Sequence, residues 1–181
     1  MKRRCKWVDE KEEIYIKYHD EEWGIPTYDE RLLFEMLVLE SFQAGLSWIT
    51  ILKKREAFKK AFDDFDVNKV SKYGEDKVNE LLDNAGIIRH EGKIRAAINN
   101  ANIFIEIQKD YGSFCKYIWK FTDNKIIYGD YKTKSELSDE ISKDLKKKGM
   151  KFIGTTIIYS YLESIGVINN HTKECFKYEL I

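Results

Sequence analysis

The chain has 181 residues, with 31 Lys and Arg against 31 Asp and Glu, so its formal net charge is zero. This balance excludes a strongly basic histone-like binder and an acidic solvating tail. Hydrophobic residues make up 43% of the chain, which is typical of a globular protein. One proline and ten glycines favour helices, because β-rich chains need many turn residues. We therefore predict an all-α protein with a single domain over 1–181.

The cysteine count and the lack of recognisable targeting signals indicate where in the cell the protein acts. No apolar run approaches the roughly 18 residues that a membrane span needs. The basic start of the chain is not followed by the apolar stretch of a signal peptide. Three cysteines are too few, and odd in number, for a disulfide framework. We expect a cytoplasmic protein with no membrane association.

Short connections separate the predicted helices of the N-terminal half. These helices cover 9–18, 29–44, 47–62, 66–73 and 75–83, with a turn at 24–27 after the first. Asp29 and Ser47 are the predicted N-caps of the second and third helices. Gly45 and Leu46 are predicted to end the second helix.

The C-terminal half follows the same pattern with one irregular stretch. Its predicted elements are a tight connection at 86–90, a long helix over 91–109, a helix from the cap Ser113 through Phe121, a loop over 122–134, a helix from the cap Ser138 to near Gly149, and an apolar helix over 154–165. Gly166 is the predicted stop of the last helix. The tail 167–181 carries His171 and Cys175.

Glu40 interrupts an apolar stripe on the second helix. Leu33, Met36 and Leu37 occupy the same stripe, so we expect the carboxyl group to point inward or into a cavity. A buried carboxylate is costly unless it meets a cation or several donors. The alternative is a carboxylate at the helix end that reaches solvent or pairs with a lysine.

Large aromatic residues are concentrated in the first fifty positions. They are Trp7, Tyr15, Tyr18, Trp23 and Trp48. Packing in the core is the usual explanation for such residues. Around an inward carboxylate, however, they would also form an electron-rich pocket for a flat cation.

Two cysteines and two histidines near the chain ends form a candidate metal site: Cys5, His19, His171 and Cys175. Such a set supplies full tetrahedral coordination for zinc and leaves no open position for water, so the site would be structural. The alternative is four unrelated residues, because only one pair is close in sequence.

A basic, glycine-bearing connection between two helices is a candidate phosphate site. It contains Gly86, Arg89, His90 and Lys93. Backbone amides at a helix N-terminus bind phosphate well, and a local basic face can bind DNA even when net charge is zero. The alternative is a solvated helix surface.

Several stretches together resemble the DNA-3-methyladenine glycosylase I family, which belongs to the helix-hairpin-helix DNA glycosylases. The resemblance covers essentially the whole chain, and its most specific stretches are 19–26 and 43–50. Other matching stretches are 4–8, 32–36, 52–55, 85–90 and 151–156. The hairpin here lacks the Leu-Pro-Gly-x-Gly form of the wider superfamily.

The resemblance implies a helix-hairpin-helix glycosylase fold whose two chain ends are joined by a structural zinc ion. The zinc-clipped terminal segments would be 1–26 and 166–181. The helical core would cover 27–165 and carry its hairpin near 84–93. The implied zinc ligands are Cys5, His19, His171 and Cys175.

The resemblance also implies roles for the other candidate residues. Glu40 would hydrogen-bond the damaged base, with the pocket walls and rim formed by Tyr18, Trp48, Trp7, Tyr15 and Trp23. Gly45 and Leu46 would probe the DNA and fill the gap left by the extruded nucleotide. The phosphate backbone would be held by Gly86, Arg89, His90 and Lys93.

The implied activity is base-excision repair. The enzyme would extrude 3-methyladenine from alkylated double-stranded DNA and remove it hydrolytically, without a lyase step. We expect it to act as a monomer. The alternative is a non-catalytic, zinc-containing module that binds alkylated DNA and releases no base.

Overall fold

A computed structural model of the protein describes residues 2–129 and 131–178. The α-helices within these ranges are α1 (Glu13–Glu21), α2 (Glu30–Gln43), α3 (Trp48–Ala61), α4 (Val67–Val70), α5 (Glu75–Asp83), α6 (Glu91–Tyr111), α7 (Phe114–Trp119), α8 (Glu136–Lys147) and α9 (Thr155–Ser164). Short 3-10 turns follow α3 at Asp63–Phe65 and α7 at Lys120–Thr122. No helix in the described ranges is long and apolar enough to cross a membrane.

Several helices begin at the polar residues that were predicted to be their N-caps. The Asp29 carboxylate accepts a hydrogen bond from the Leu32 amide, and Ser113 caps α7 in the same way. Ser138 was expected to cap α8, and this prediction is wrong. Ser135 is the N-cap, and Ser138 is the third residue of the helix, where it completes a capping box with Ser135.

The fold is mostly helical, as predicted, but it also contains a short two-stranded parallel sheet. The strands are β1 (Ile127–Tyr128) and β2 (Ile168–Asn169), with Ile127 opposite Ile168. The first lies in the predicted loop 122–134 and the second in the tail. Strands of two residues are too short to show alternating hydrophobicity, so the sequence pattern could not indicate them.

Helix α2 is the centre of the core. It packs against α3, α6, α7 and α9, and every residue from Leu33 to Phe42 is buried. Three polar side chains of α2, those of Glu35, Glu40 and Ser41, are therefore buried with the apolar ones. The helix ends at Gln43, and Gly45 follows with φ of +79°, a conformation that glycine adopts without strain.

The two chain ends lie side by side. The Phe176 amide donates to the Arg3 carbonyl at 2.9 Å, and the Thr27 amide donates to the Ile165 carbonyl at 3.1 Å. Gly166 has φ of +72° and follows α9 as predicted, and its α-carbon lies against the Ile25–Pro26 peptide. A side chain at this position would collide with that backbone.

Candidate active site

A cavity of about 390 Å³ opens between α1, α2, the start of α3, and α9. The predicted residues Trp7, Tyr15, Tyr18, Trp23, Glu40 and Trp48 all line it. The sequence therefore identified much of this wall. The other lining residues, which the sequence analysis missed, are Gln43, Tyr131, Lys132, Thr133, Thr156, Tyr159, Ser160 and Glu163.

Glu40 is buried in the wall of this cavity, as the apolar stripe of α2 predicts. Its exposed fraction is 3%. Within residues 2–129 and 131–178, no group donates a hydrogen bond to its carboxyl group and no cation pairs with it. Burial, and secondarily the nearby Glu163 carboxyl group, raise the pKa of Glu40 well above its ordinary value. A buried carboxyl group without a partner is uncommon, because its charged form loses hydration and gains nothing in return.

Glu163 supplies a second carboxyl group from α9. Burial raises its pKa from 4.5 to about 7, although a hydrogen bond from the Asn170 amide at 2.6 Å acts in the opposite direction. The sequence carried one signal for it, since Glu163 is the only charged residue in the apolar helix Thr155–Ser164. The cavity therefore holds two carboxyl groups on facing helices.

The aromatic residues form a connected group around the cavity. The Tyr18 and Trp48 rings lie 5.5 Å apart between centroids. Trp7 lies 5.5 Å from Tyr15 and 5.0 Å from Trp23, both in edge-to-face arrangement. Tyr18 is buried, and its neighbours are only partly exposed or buried. The wall is thus electron-rich on several sides of the two carboxyl groups.

The structure brings three of the four predicted metal ligands together. The ligand atoms of Cys5, His19 and Cys175 lie within 4.8 Å of one another, and all three residues are buried. Asp20 lies 2.8 Å from His19 Nδ1, which leaves Nε2 facing the two sulfur atoms. Such a carboxylate behind a histidine is typical of metal sites, because it fixes the ring orientation.

His171 lies beside this cluster but is not part of the group of three. Its ring centroid is 5.0 Å from that of His19. Nδ1 of His171 lies 2.8 Å from the Asn169 side-chain oxygen, while Nε2 is buried with no hydrogen-bond partner in the described chain. Burial, and secondarily His19, lower the pKa of His171 to about 4, so the ring is neutral at pH 7, the form that binds metals. The orphaned Nε2 fits a fourth metal ligand.

Two tryptophans contact both the cavity and the Cys/His cluster. Trp7 lies 5.5 Å from the His19 ring, and Trp23 lies 4.7 Å from the His171 ring. Trp23 also stacks on His19 at 6.0 Å. The paired chain ends therefore support one wall of the cavity.

An exposed turn connects α2 to α3 at the cavity mouth. The Leu46 amide donates to the Gln43 carbonyl at 2.7 Å, and the Gln43 side chain donates to the Leu46 carbonyl at 2.8 Å. These two bonds close the turn and leave the Leu46 side chain exposed. Ser47 takes the N-cap position of α3, but its hydroxyl group bonds to Thr50 rather than to a backbone amide.

The segment predicted to contain the hairpin connects α5 to α6 over residues 84–90. Gly86 packs closely on α3, since a β-carbon there would lie 3.0 Å from that of Ala57. Lys54 of α3 donates to the Gly86 carbonyl and to the preceding one. Arg89 and His90 are exposed, and His90 also caps α6 through Nδ1.

Lys93 corrects one part of the hairpin prediction. Its side chain was expected to reach a DNA phosphate, but the residue is buried and its Nζ donates to the Phe42 and Ala44 carbonyls. The ammonium group is therefore turned into the protein. The default expectation that lysine is solvated concealed this contact.

Comparisons with known proteins identify the family of the chain. The methyladenine glycosylase family profile matches residues 7–178. DNA-3-methyladenine glycosylase 1 of Escherichia coli (strain K12) is 45% identical, over 97% of this chain and 96% of its own length. A crystal structure of 3-methyladenine DNA glycosylase I (TAG) has a TM-score of 0.92 at 44% identity and covers 96% of this chain and 98% of its own. A structure describing 3-methyladenine recognition by the Staphylococcus aureus enzyme has a TM-score of 0.89 at 39% identity and covers 92% of each chain. The chain belongs to the methyladenine glycosylase family.

Proposed function

We propose that this protein is a DNA-3-methyladenine glycosylase that acts in base-excision repair. The observation that carries the proposal is the buried carboxyl group of Glu40, which has no protein partner within the described ranges and faces a cavity walled by aromatic rings. Such a cavity suits a flat cation. The relatives named above, including the Staphylococcus aureus enzyme that recognises 3-methyladenine, support this ligand.

The charge of the damaged base explains both selectivity and reactivity. Methylation at N3 makes the purine of the nucleotide cationic, so the bond to the sugar weakens and the base departs neutral. A cation in the cavity lowers the pKa of Glu40 and favours its carboxylate form, which then accepts hydrogen bonds from the purine edge. Unmodified adenine carries no charge, and it would leave that carboxylate uncompensated.

The aromatic wall adds to the attraction. Stacking of a cationic purine on Trp48, beside Tyr18, would contribute about 0.5–2 kcal/mol through cation–π attraction. Trp7, Tyr15 and Trp23 would complete the pocket. The base must leave the duplex to reach this cavity, and extrusion costs less for a damaged base than for an intact pair.

Contact with the duplex would come from two exposed segments. We infer that Gly45 and Leu46 enter the DNA duplex and fill the gap that the extruded base leaves. We infer that the helix-hairpin-helix segment, with Gly86, Arg89 and His90, binds the phosphate backbone through amides and cations. The DNA form is double-stranded and alkylated, and one protein molecule acts alone.

The sugar would be attacked by water, without a covalent enzyme intermediate. Lys132 supplies the one amine among the described residues that line the cavity, and it lies exposed at the rim. We propose that it does not act as a nucleophile. Borohydride treatment during turnover should therefore trap no protein–DNA adduct, whereas a trapped adduct would indicate a lyase step.

We propose that Cys5, His19, His171 and Cys175 hold a structural zinc ion. The three converging ligands and the orphaned His171 nitrogen support this assignment. A bound zinc ion would join the chain ends and thereby steady Trp7 and Trp23.

Metal analysis of a Cys175→Ser variant tests the zinc site. We expect one zinc per chain in the parent protein, none in the variant, and a melting temperature lower by about 10 °C. Cys115→Ser is the matched control, because Cys115 lies outside the cluster. Equal zinc content in both variants would contradict the assignment.

Incubation with methylated duplex DNA, followed by chromatography of the released bases, tests the activity. We expect free 3-methyladenine from the parent protein. Binding of the DNA without any released base would instead support a non-catalytic binding module. A protein that neither binds the methylated DNA nor releases a base from it would overturn the proposal.

A further inference from the structure

The ammonium group of Lys93 joins two segments that are distant in sequence. Lys93 lies in the first turn of α6, and its exposed fraction is 7%. Its Nζ donates to the Phe42 carbonyl at 2.9 Å and to the Ala44 carbonyl at 2.7 Å. These oxygens belong to the C-terminal end of α2, where helix carbonyls lack partners within the helix.

The charge of Lys93 is compensated by this helix end and not by an acid. No ion pair involving Lys93 occurs in the described part of the chain. The C-terminal end of a helix carries partial negative charge, so a cation is favourable there. The contact is therefore specific to the position of these carbonyls, and it would weaken if the end of α2 moved.

The same carbonyls begin the exposed turn at the cavity mouth. Ala44 is the C-cap of α2, and Gly45 follows in a left-handed conformation. The Gln43 side chain fixes the Leu46 carbonyl from the other side of the turn. Lys93 thus holds the beginning of the turn, and Gln43 holds its end.

Lys93 is equally fixed to the hairpin. Its amide donates to His90 Nδ1 at 3.1 Å, and His90 is the last residue of the connection 84–90. A displacement of this connection would therefore be transmitted through one residue to the turn that presents Leu46.

We propose that Lys93 is a positioning residue that couples the hairpin to the Leu46 turn, so that Leu46 is aligned to enter the duplex when the hairpin binds the phosphate backbone. This inference rests on the proposed function and adds a residue to it. Lys93 itself does not touch the base or the DNA.

Excision from duplex and single-stranded DNA by Lys93→Met separates this role from a general structural one. Only double-stranded DNA has a gap to be filled when the base is extruded, so this role of Leu46 matters only in the duplex. We therefore expect single-turnover excision of 3-methyladenine from duplex DNA to fall about tenfold, while excision from single-stranded DNA and affinity for free 3-methyladenine change less than about twofold. Lys109→Met, which removes the same charge near the other end of α6, should change none of these values.

A double-mutant cycle with Leu46→Ala tests the coupling directly. If Lys93 acts through Leu46, then Lys93→Met should cost little further rate on duplex DNA once Leu46 is truncated. Multiplicative losses would overturn the proposal, as would a parallel loss on both DNA forms. Lys93→Arg, which keeps the charge, serves as a second variant if the methionine variant fails to fold, and it should retain part of the duplex rate. Absence of base release by the parent protein would instead contradict the proposed function.

Discussion

Two glutamates of helix α2 are both buried, yet their surroundings differ. Glu35 accepts a hydrogen bond from Arg55 Nε at 2.6 Å, and the same guanidinium group binds Glu22. Glu40, on the same helix, accepts no hydrogen bond and forms no ion pair within the described chain. The fold provides a partner for one carboxylate and withholds it from the other.

This difference in surroundings indicates that Glu35 has a structural role, whereas Glu40 has the functional role that we propose. Arg55 on α3 joins α2 to the end of α1, so the Glu35 pair links three helices. Glu40 instead faces an aromatic cavity, and under the proposed function a cationic ligand would compensate the charge of its carboxylate. An unpaired carboxyl group in the cavity would therefore favour a cationic ligand over a neutral one.

Replacement of Glu40 should produce the largest effect on activity. Glu40→Gln keeps the shape of the side chain but removes the charge that complements the purine. We expect excision of 3-methyladenine to fall about 100- to 1,000-fold, with the melting temperature unchanged or higher, because an uncompensated buried acid is lost. Single-turnover kinetics and thermal denaturation measure both. Excision at the parental rate would contradict a functional role for Glu40.

Replacement of Glu35 should reverse this pattern. Glu35→Gln leaves the Arg55 guanidinium with one carboxylate instead of two. We expect a loss of about 3 kcal/mol in the free energy of unfolding, with excision retained below the melting temperature. Urea denaturation measures the first value. A stable but inactive variant would show that the two glutamates do not differ in the proposed way.

The pH dependence of stability should reveal the second carboxyl group of the cavity. Glu163 has its pKa raised from 4.5 to about 7, so the folded protein binds more protons than the unfolded chain between these values. Its contribution to stability is therefore present below pH 4.5 and is lost as the pH rises through 7.

Glu163→Gln should remove this loss. We expect the variant to exceed the parent in stability at pH 8 by at most about 3 kcal/mol, and to match it near pH 4. Urea denaturation at the two pH values gives the comparison. The same difference at both values would refute the shift.

The aromatic wall should contribute the smallest of these effects. Trp48→Leu removes the ring that we propose stacks on the ligand, so we expect affinity for a cationic purine to fall about tenfold. Trp48→Phe keeps a smaller ring and should lose less. Fluorescence titration measures both. Equal losses in the two variants would indicate that shape, not cation–π attraction, sets the contribution.

Periodicity and composition correctly predicted the features that depend on a single helix, such as its buried face and its N-cap. The apolar stripe of α2 placed Glu40 inside, and the cap residues Asp29 and Ser113 were located correctly. The helix on either side of the hairpin was also predicted. These features follow from local rules that a single segment obeys.

Periodicity and composition missed several contacts between segments that are distant in sequence. Lys93 is buried because the end of α2, about fifty positions earlier, offers it two carbonyls. The β1–β2 pair joins segments some forty residues apart, and neither strand is long enough to have its own pattern. Ser138 was predicted to be the N-cap of α8, but the backbone conformation of the turn makes Ser135 the N-cap.

Two ligands of nearly the same shape test the charge selectivity that we propose for Glu40. The cation 3,9-dimethyladeninium carries the charge of the methylated nucleotide and a methyl group in place of the sugar, whereas 9-methyladenine is neutral. Calorimetry should give the parent protein at least about tenfold higher affinity for the cation, and the Glu40→Gln variant should lose that preference. A preference for the cation that survives in the variant would contradict the role given to Glu40.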